Sequence, residues 1–136
     1  MRYLALDVGE RRVGLATSDS GIFAAPHGVL HRKSKKEDFA RIQRLVSELK
    51  IDCVVVGVPY SLNADEPLGP QARRVLRYAR ALSEVITAPV TTFDERYSTV
   101  DAGNFLSQSG GKTPIDAAAA AVILQNYLDS LARPGE

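Results

Sequence analysis

The sequence predicts one α/β domain built on a mixed sheet, and three observations carry that expectation. An apolar segment, Arg2 to Val8, runs into a glycine-bearing turn and is followed by a second apolar segment, Val13 to Ser18, so the chain opens as an antiparallel hairpin. Ile51 to Val58 is nearly continuous in β-branched residues, the pattern of a central parallel strand covered on both faces. Between and after these lie segments with helical spacing of apolar residues, so strands and helices alternate through the second half.

The elements follow in order. Gly9 to Arg12 reads as the hairpin turn, and Gly21 to Leu30 as a third strand whose Pro26 and Gly28 favour an edge or irregular position. Ser34-Lys-Lys-Glu37 has the form of a capping box, and Phe39, Ile42, Leu45, Val46 and Leu49 recur at three and four, which predicts an amphipathic helix over 35–50. Tyr60 to Gly69 lacks periodicity and reads as a surface loop bordering a site. Pro70 opens a helix to about Val85, with Val75, Leu76, Ala79 and Leu82 inward and the arginines outward. Pro89 to Phe93 is the next strand. Ser98 caps a short helix to about Ser107, Gly110-Gly111-Lys112 is a break, and Thr113-Pro114 starts a last helix from Ile115 to about Leu131.

With 136 residues, 45% of them hydrophobic, the chain suits one core and is too short for two lobes closing on a cleft. No apolar run approaches the length of a membrane span, and no secretory signal is recognisable, so a soluble, intracellular protein is expected. The one cysteine, Cys53, lies inside the β-branched run, where a thiol is buried filler. Net charge is only +1, so the placement of the basic residues matters more than their sum. His31-Arg32-Lys33-Ser34-Lys35-Lys36 is a basic run, and Arg73, Arg77 and Arg80 share one helical face with Arg74 beside them. A solvated surface accounts equally well for either cluster.

This order of strands and helices is that of the ribonuclease H-like fold. Its first and later parallel strands end side by side, so Asp7 and the Asp94-Glu95 pair can meet at one rim. Phosphodiester cleavage in this fold needs two hard divalent cations about 4 Å apart, held by oxygen ligands. Asp7 from the first strand, Glu95 from the end of the last strand and Asp116 from the first turn of the terminal helix make a sufficient set. Each also has a structural explanation: a turn-stabilising Asp7, a Glu95 paired with Arg96, an Asp116 completing a helix cap. Adjacent residues on a strand face opposite ways, so only one of Asp94 and Glu95 can aim at Asp7, and the sequence leaves both open. Ala117 to Ala121 removes bulk just after Asp116 and lets that helix approach the sheet closely. His27 and His31 are separated from the acids and receive no role.

Four ordered motifs carry a resemblance: Leu6-Asp7-Val-Gly9-Glu-Arg-Arg-Val-Gly14-Leu-Ala, Val55-Val-Gly57-Val-Pro59, Asp94-Glu95-Arg96-Tyr-Ser98-Thr99, and Ile115-Asp116 before Ala118-Ala119. Together they resemble the YqgF family, also called RuvX, through essentially the whole chain, 1–136. The resemblance implies a cytoplasmic, ribonuclease H-like nuclease that processes pre-16S ribosomal RNA and is related to Holliday-junction resolvases. It places Asp7, Glu95 and Asp116 on the family's acidic positions, implies Mg²⁺ or Mn²⁺ as cofactor, and implies structured RNA, branched DNA or a pre-ribosomal particle as partner, with the chain a monomer or homodimer. The loop 60–69 has one glycine where the family carries a glycine-rich acidic segment, and the region around Lys112 is less basic than usual. Nucleic-acid affinity then leans on Arg11, Arg12, Arg73, Arg74 and Arg77, with Arg96 and Lys112 as further phosphate contacts. Two other readings share these residues: a junction-resolving dimer, and a non-catalytic ribosome-assembly or RNA-binding factor. An actin-like nucleotide site at Asp7-x-Gly9 requires a second lobe for which the chain has no length.

Overall fold

The computed structural model describes residues 1–61, 65–97 and 114–132. Five strands form one sheet: β1 (Tyr3–Val8), β2 (Arg12–Ser18), β3 (Ala25–His31), β4 (Cys53–Val58) and β5 (Val90–Asp94), in the order β3-β2-β1-β4-β5. β1 pairs antiparallel with β2, and β2 with β3, while β4 and β5 add in parallel on the other side of β1. The expected mixed sheet is thus present, and the third strand lies at an edge, with a register shift at Leu15/Ala16 opposite Gly28 and Pro26.

Side-chain alternation divides the core in two. Leu4, Leu6 and Val8 of β1, with Val54, Val56 and Val58 of β4, face helices α1 (Lys35–Glu48) and α2 (Pro70–Ser83), meeting Phe39, Ile42, Val75, Tyr78 and Leu82. Tyr3, Ala5, Cys53 and Val55 face the opposite way, onto helix α3 (Ile115–Ala132), through Ala118, Ala120, Ala121, Leu124 and Leu128. Ser34 caps α1, its hydroxyl accepting from the Glu37 amide at 3.1 Å, as the capping-box pattern predicts.

Small residues let α3 approach the sheet closely at two points. A Cβ on Gly14 would overlap the backbone carbonyl of Asp116, and one on Gly57 would lie 2.5 Å from Cδ1 of Ile123. Gln125 then ties α3 to the β2–β3 connection, accepting from the Ala24 amide at 2.9 Å and donating to the Ile22 carbonyl at 2.9 Å. The close approach expected from the alanine run is what sets the height of α3 over the sheet. The helix expected from Ser98 to Ser107, the glycine break and Lys112 fall outside the described residues. Among the described residues no helix is long and apolar enough to cross a membrane.

Candidate active site

Asp7 is the third residue in the row Tyr3, Ala5, Asp7, so alternation along β1 turns its half-buried carboxyl to the α3 face, at the C-terminal end of the strand. Its neighbour across the hairpin is Gly14. Because Gly14 lacks a side chain, the first turn of α3 rests on it and brings Asp116 beside Asp7. Burial pushes the Asp7 carboxyl up from its ordinary value, and the Asp116 charge adds to the rise.

Geometry separates Asp94 from Glu95. On β5, Phe93 is opposite Gly57, and its ring meets Tyr127 of α3 edge-on at 6.0 Å, so Phe93 faces α3. Asp94 is opposite Val58 and turns the other way. There it binds Arg96, with Oδ2 2.7 Å from Nη2 and both oxygens within 3.1 Å of Nε, and this pairing holds its carboxyl below the usual range. The chain leaves the sheet in a 3₁₀ turn, Glu95–Tyr97, that starts with Glu95. Burial raises the Glu95 carboxyl to about 7, with further contributions from Asp7 and then Asp94. Glu95 is therefore the acid that senses Asp7.

Arg12 also enters this group, its Nε 2.9 Å from Asp116 Oδ2. With Arg11, Gly9, Glu10 and Asp116 it lines a shallow depression at the rim. Arg96 is engaged elsewhere: besides Asp94, it lies 5.1 Å from the Tyr60 ring centroid and reaches the Ser61 carbonyl at 3.5 Å, so it ties the start of the 60–69 loop to the end of β5. Arg73 faces Glu66 at 3.8 Å, whereas Arg74 and Arg77 line a separate cleft with Arg32 and Lys35. From sequence alone Arg32, Lys35 and Gly14 carry no role; the basic run 31–36 and the register of Gly14 opposite Asp7 are the signals that point to them.

Hard oxygen donors suit Mg²⁺ or Mn²⁺. Two of the three carboxyls are held high by burial and by neighbouring acids, a disposition that a divalent cation relieves, so the donor set fits such an ion. Among the described residues no three acids are already drawn together tightly enough to hold a metal, and Asp116 is turned to Arg12.

The sequence model of the RuvX family, described as Holliday junction resolvase, matches residues 1–130. A relative from Thermoanaerobacter pseudethanolicus, named "Putative pre-16S rRNA nuclease", is 40% identical over 96% of this chain and 97% of its own. One of the same name from a Synechococcus species is 46% identical over 93% of this chain and 82% of its own. Among solved structures, Thermus thermophilus RuvC in complex with a Holliday junction substrate superposes with a TM-score of 0.65 at 15% identity, covering 97% of this chain and 96% of that one. The Fowlpox virus resolvase bound to junction DNA gives a TM-score of 0.56 at 11% identity, covering 98% of this chain and the whole of that one. These two likenesses show a shared fold, the ribonuclease H-like fold expected from the order of strands and helices.

Proposed function

The chain belongs to the RuvX family, and from that premise and the meeting of its carboxylates we propose that it is a metal-dependent nuclease that hydrolyses phosphodiester bonds of structured RNA. Its substrate in the cell is precursor 16S ribosomal RNA, the RNA in the names of its relatives; the reading further places the cut at the 5′ end and the protein in the cytoplasm. The observation that supports the reading is that Asp7, at a strand end, lies within electrostatic reach of Asp116 at a helix start and of Glu95 in a 3₁₀ turn.

Asp7, Glu95 and Asp116 would hold Mg²⁺ or Mn²⁺. A bound divalent ion supplies charge neutralisation at the phosphate and a more acidic water. The chain's own residues do the rest. Asp7, anchored in the central strand and braced by the β2 pairing, fixes the position of the cluster. Glu95, whose carboxyl burial and Asp7 hold at about 7 without metal, gives up its proton when it binds the ion, so occupancy of the site is coupled to pH. Arg11 and Arg12 border the same depression and are placed to meet the phosphates on either side of the bond that breaks.

A second reading, cleavage of four-way DNA junctions, is favoured by the family's description. One experiment addresses both: a labelled precursor RNA fragment and a four-way DNA junction are incubated with Mn²⁺ or EDTA, using wild type and Asp7→Asn. Mn²⁺-dependent loss of the RNA that vanishes in Asp7→Asn supports the nuclease reading. Junction cutting alone transfers it to DNA. Cleavage of neither, with binding unaffected by EDTA, makes the chain a non-catalytic assembly factor.

A further inference from the structure

A cleft of about 390 Å³ opens on the α1/α2 side of the sheet, across the β1–β2 turn from the carboxylates. Val8, Val75 and Tyr78 form its apolar part, and Arg32, Lys35, Arg74 and Arg77 bring four cations to it against one carboxylate, Glu10. Arg74 and Glu10 are 3.7 Å apart, both exposed. Lys35 and Arg77 make no ion pair among the described residues.

Arg32 is held ready. It donates to the Gly9 carbonyl at 2.7 Å, lies 5.0 Å from the Tyr78 ring centroid, and has Nε 3.8 Å from the buried Asp38. Tyr78 is 2% exposed, and its hydroxyl has no hydrogen-bond partner among the described residues. Two cations with no ion pair among the described residues, beside a third fixed by a carbonyl and an aromatic ring, are more than a solvated helix face requires.

The cleft shares Gly9 and Glu10 with the depression that contains Arg11, Arg12 and Asp116. The tip of the hairpin is therefore a narrow ridge with the acids on one flank and the basic cleft on the other. We infer that the substrate strand crosses this ridge, so that while one phosphate lies at the carboxylates, phosphates flanking it are held in the cleft by Lys35, Arg74 and Arg77, with Arg32 as a fixed wall. This inference rests on the nuclease reading for the identity of the strand. It assigns the cleft to nucleic-acid backbone, because four cations around an open cleft recognise successive phosphates without reading bases.

The test is binding in EDTA, which needs no cleavage. Fluorescent single-stranded RNAs of about 4 to about 16 nucleotides are titrated into wild type, Arg77→Glu and Lys35→Glu, with thermal midpoints checking the fold. Wild-type affinity should step up once the strand is long enough to span the ridge. In either variant the step should disappear, long-strand affinity falling about tenfold and the salt dependence flattening by about 0.7 for each phosphate that is no longer neutralised. If charge reversal disturbs folding, Arg77→Gln and Lys35→Gln give the same comparison. A length step that survives in all variants overturns the inference. So does the absence of any step together with tight binding of a free nucleoside monophosphate, which makes the cleft a small-molecule site. A chain that cleaves with Mn²⁺ but keeps its step in the variants loses only the cleft. One that cleaves nothing but loses its step keeps the cleft and loses the nuclease.

Discussion

Arg12 Nε and Asp116 Oδ2 are 2.9 Å apart, so without metal a guanidinium on β2 neutralises a carboxylate on α3 that the proposed ion must use. Arg12 is 57% exposed at its side chain and Asp116 35%, and a pair so open to water contributes little to stability, about 1 kcal/mol or less. Its consequence is competition. Arg12→Ala should leave the thermal midpoint almost unchanged and lower the Mn²⁺ concentration needed for half-saturation severalfold in calorimetric titration. Weaker Mn²⁺ binding in the variant would show that Arg12 aligns Asp116 instead.

Gly14 is the point of closest approach between α3 and the sheet. Gly14→Ala forces a methyl group into the Asp116 carbonyl, which side-chain rotation cannot relieve because the obstacle is backbone. It should cost about 3 kcal/mol in urea unfolding, and abolish metal binding in whatever fraction still folds, since Asp116 is displaced from Asp7. Gly28→Ala, at a position with open space around its Cβ, is the control and should be near neutral.

Glu95 gives the fold a pH dependence of definite sign. Its carboxyl stands at about 7 in the folded chain against 4.5 as an ordinary carboxyl, so between these values the folded state holds a proton that the unfolded state has released. The resulting stabilisation is fully present below 4.5 and is lost as pH rises through about 7. In EDTA the urea midpoint should fall between about pH 5 and about pH 8, and Glu95→Gln should remove most of that slope. Mn²⁺ should restore stability at the upper end, because it binds the deprotonated acids. A midpoint that rises over this window contradicts the assignment.

Asp7→Asn separates function from folding. Removing a charge that burial and Asp116 both disfavour should raise stability at neutral pH in EDTA, while cleavage falls at least about a hundredfold. A variant that loses activity by unfolding would instead show a lowered thermal midpoint.

Most of the architecture is legible in the chain because each element carries its own period. The β-branched run 51–58 reads only as a covered central strand, and the hairpin's two apolar runs set an antiparallel start. Asp7 is legible for the same reason, as a carboxylate at the end of such a strand. The choice between Asp94 and Glu95 is not, since it depends on which side Phe93 takes, and that is settled by Gly57 and Tyr127, distant in sequence. Arg96, expected at phosphate, is instead occupied by Asp94 and stacked near Tyr60, a local pairing two residues apart that competes with any longer reach. The cleft is illegible because Arg32 and Lys35 meet Arg74 and Arg77 only when α1 and α2 pack on the same face as Val8.

The three acids stand at positions 7, 95 and 116, and the last arrives on a helix laid over strands formed by the first eighteen residues. The hairpin, α1, β4, α2 and β5 can all pair while the proposed site still lacks one of its carboxylates. The third proposed carboxylate is therefore delivered only when α3 docks on the sheet, so metal affinity should track the packing of that one helix.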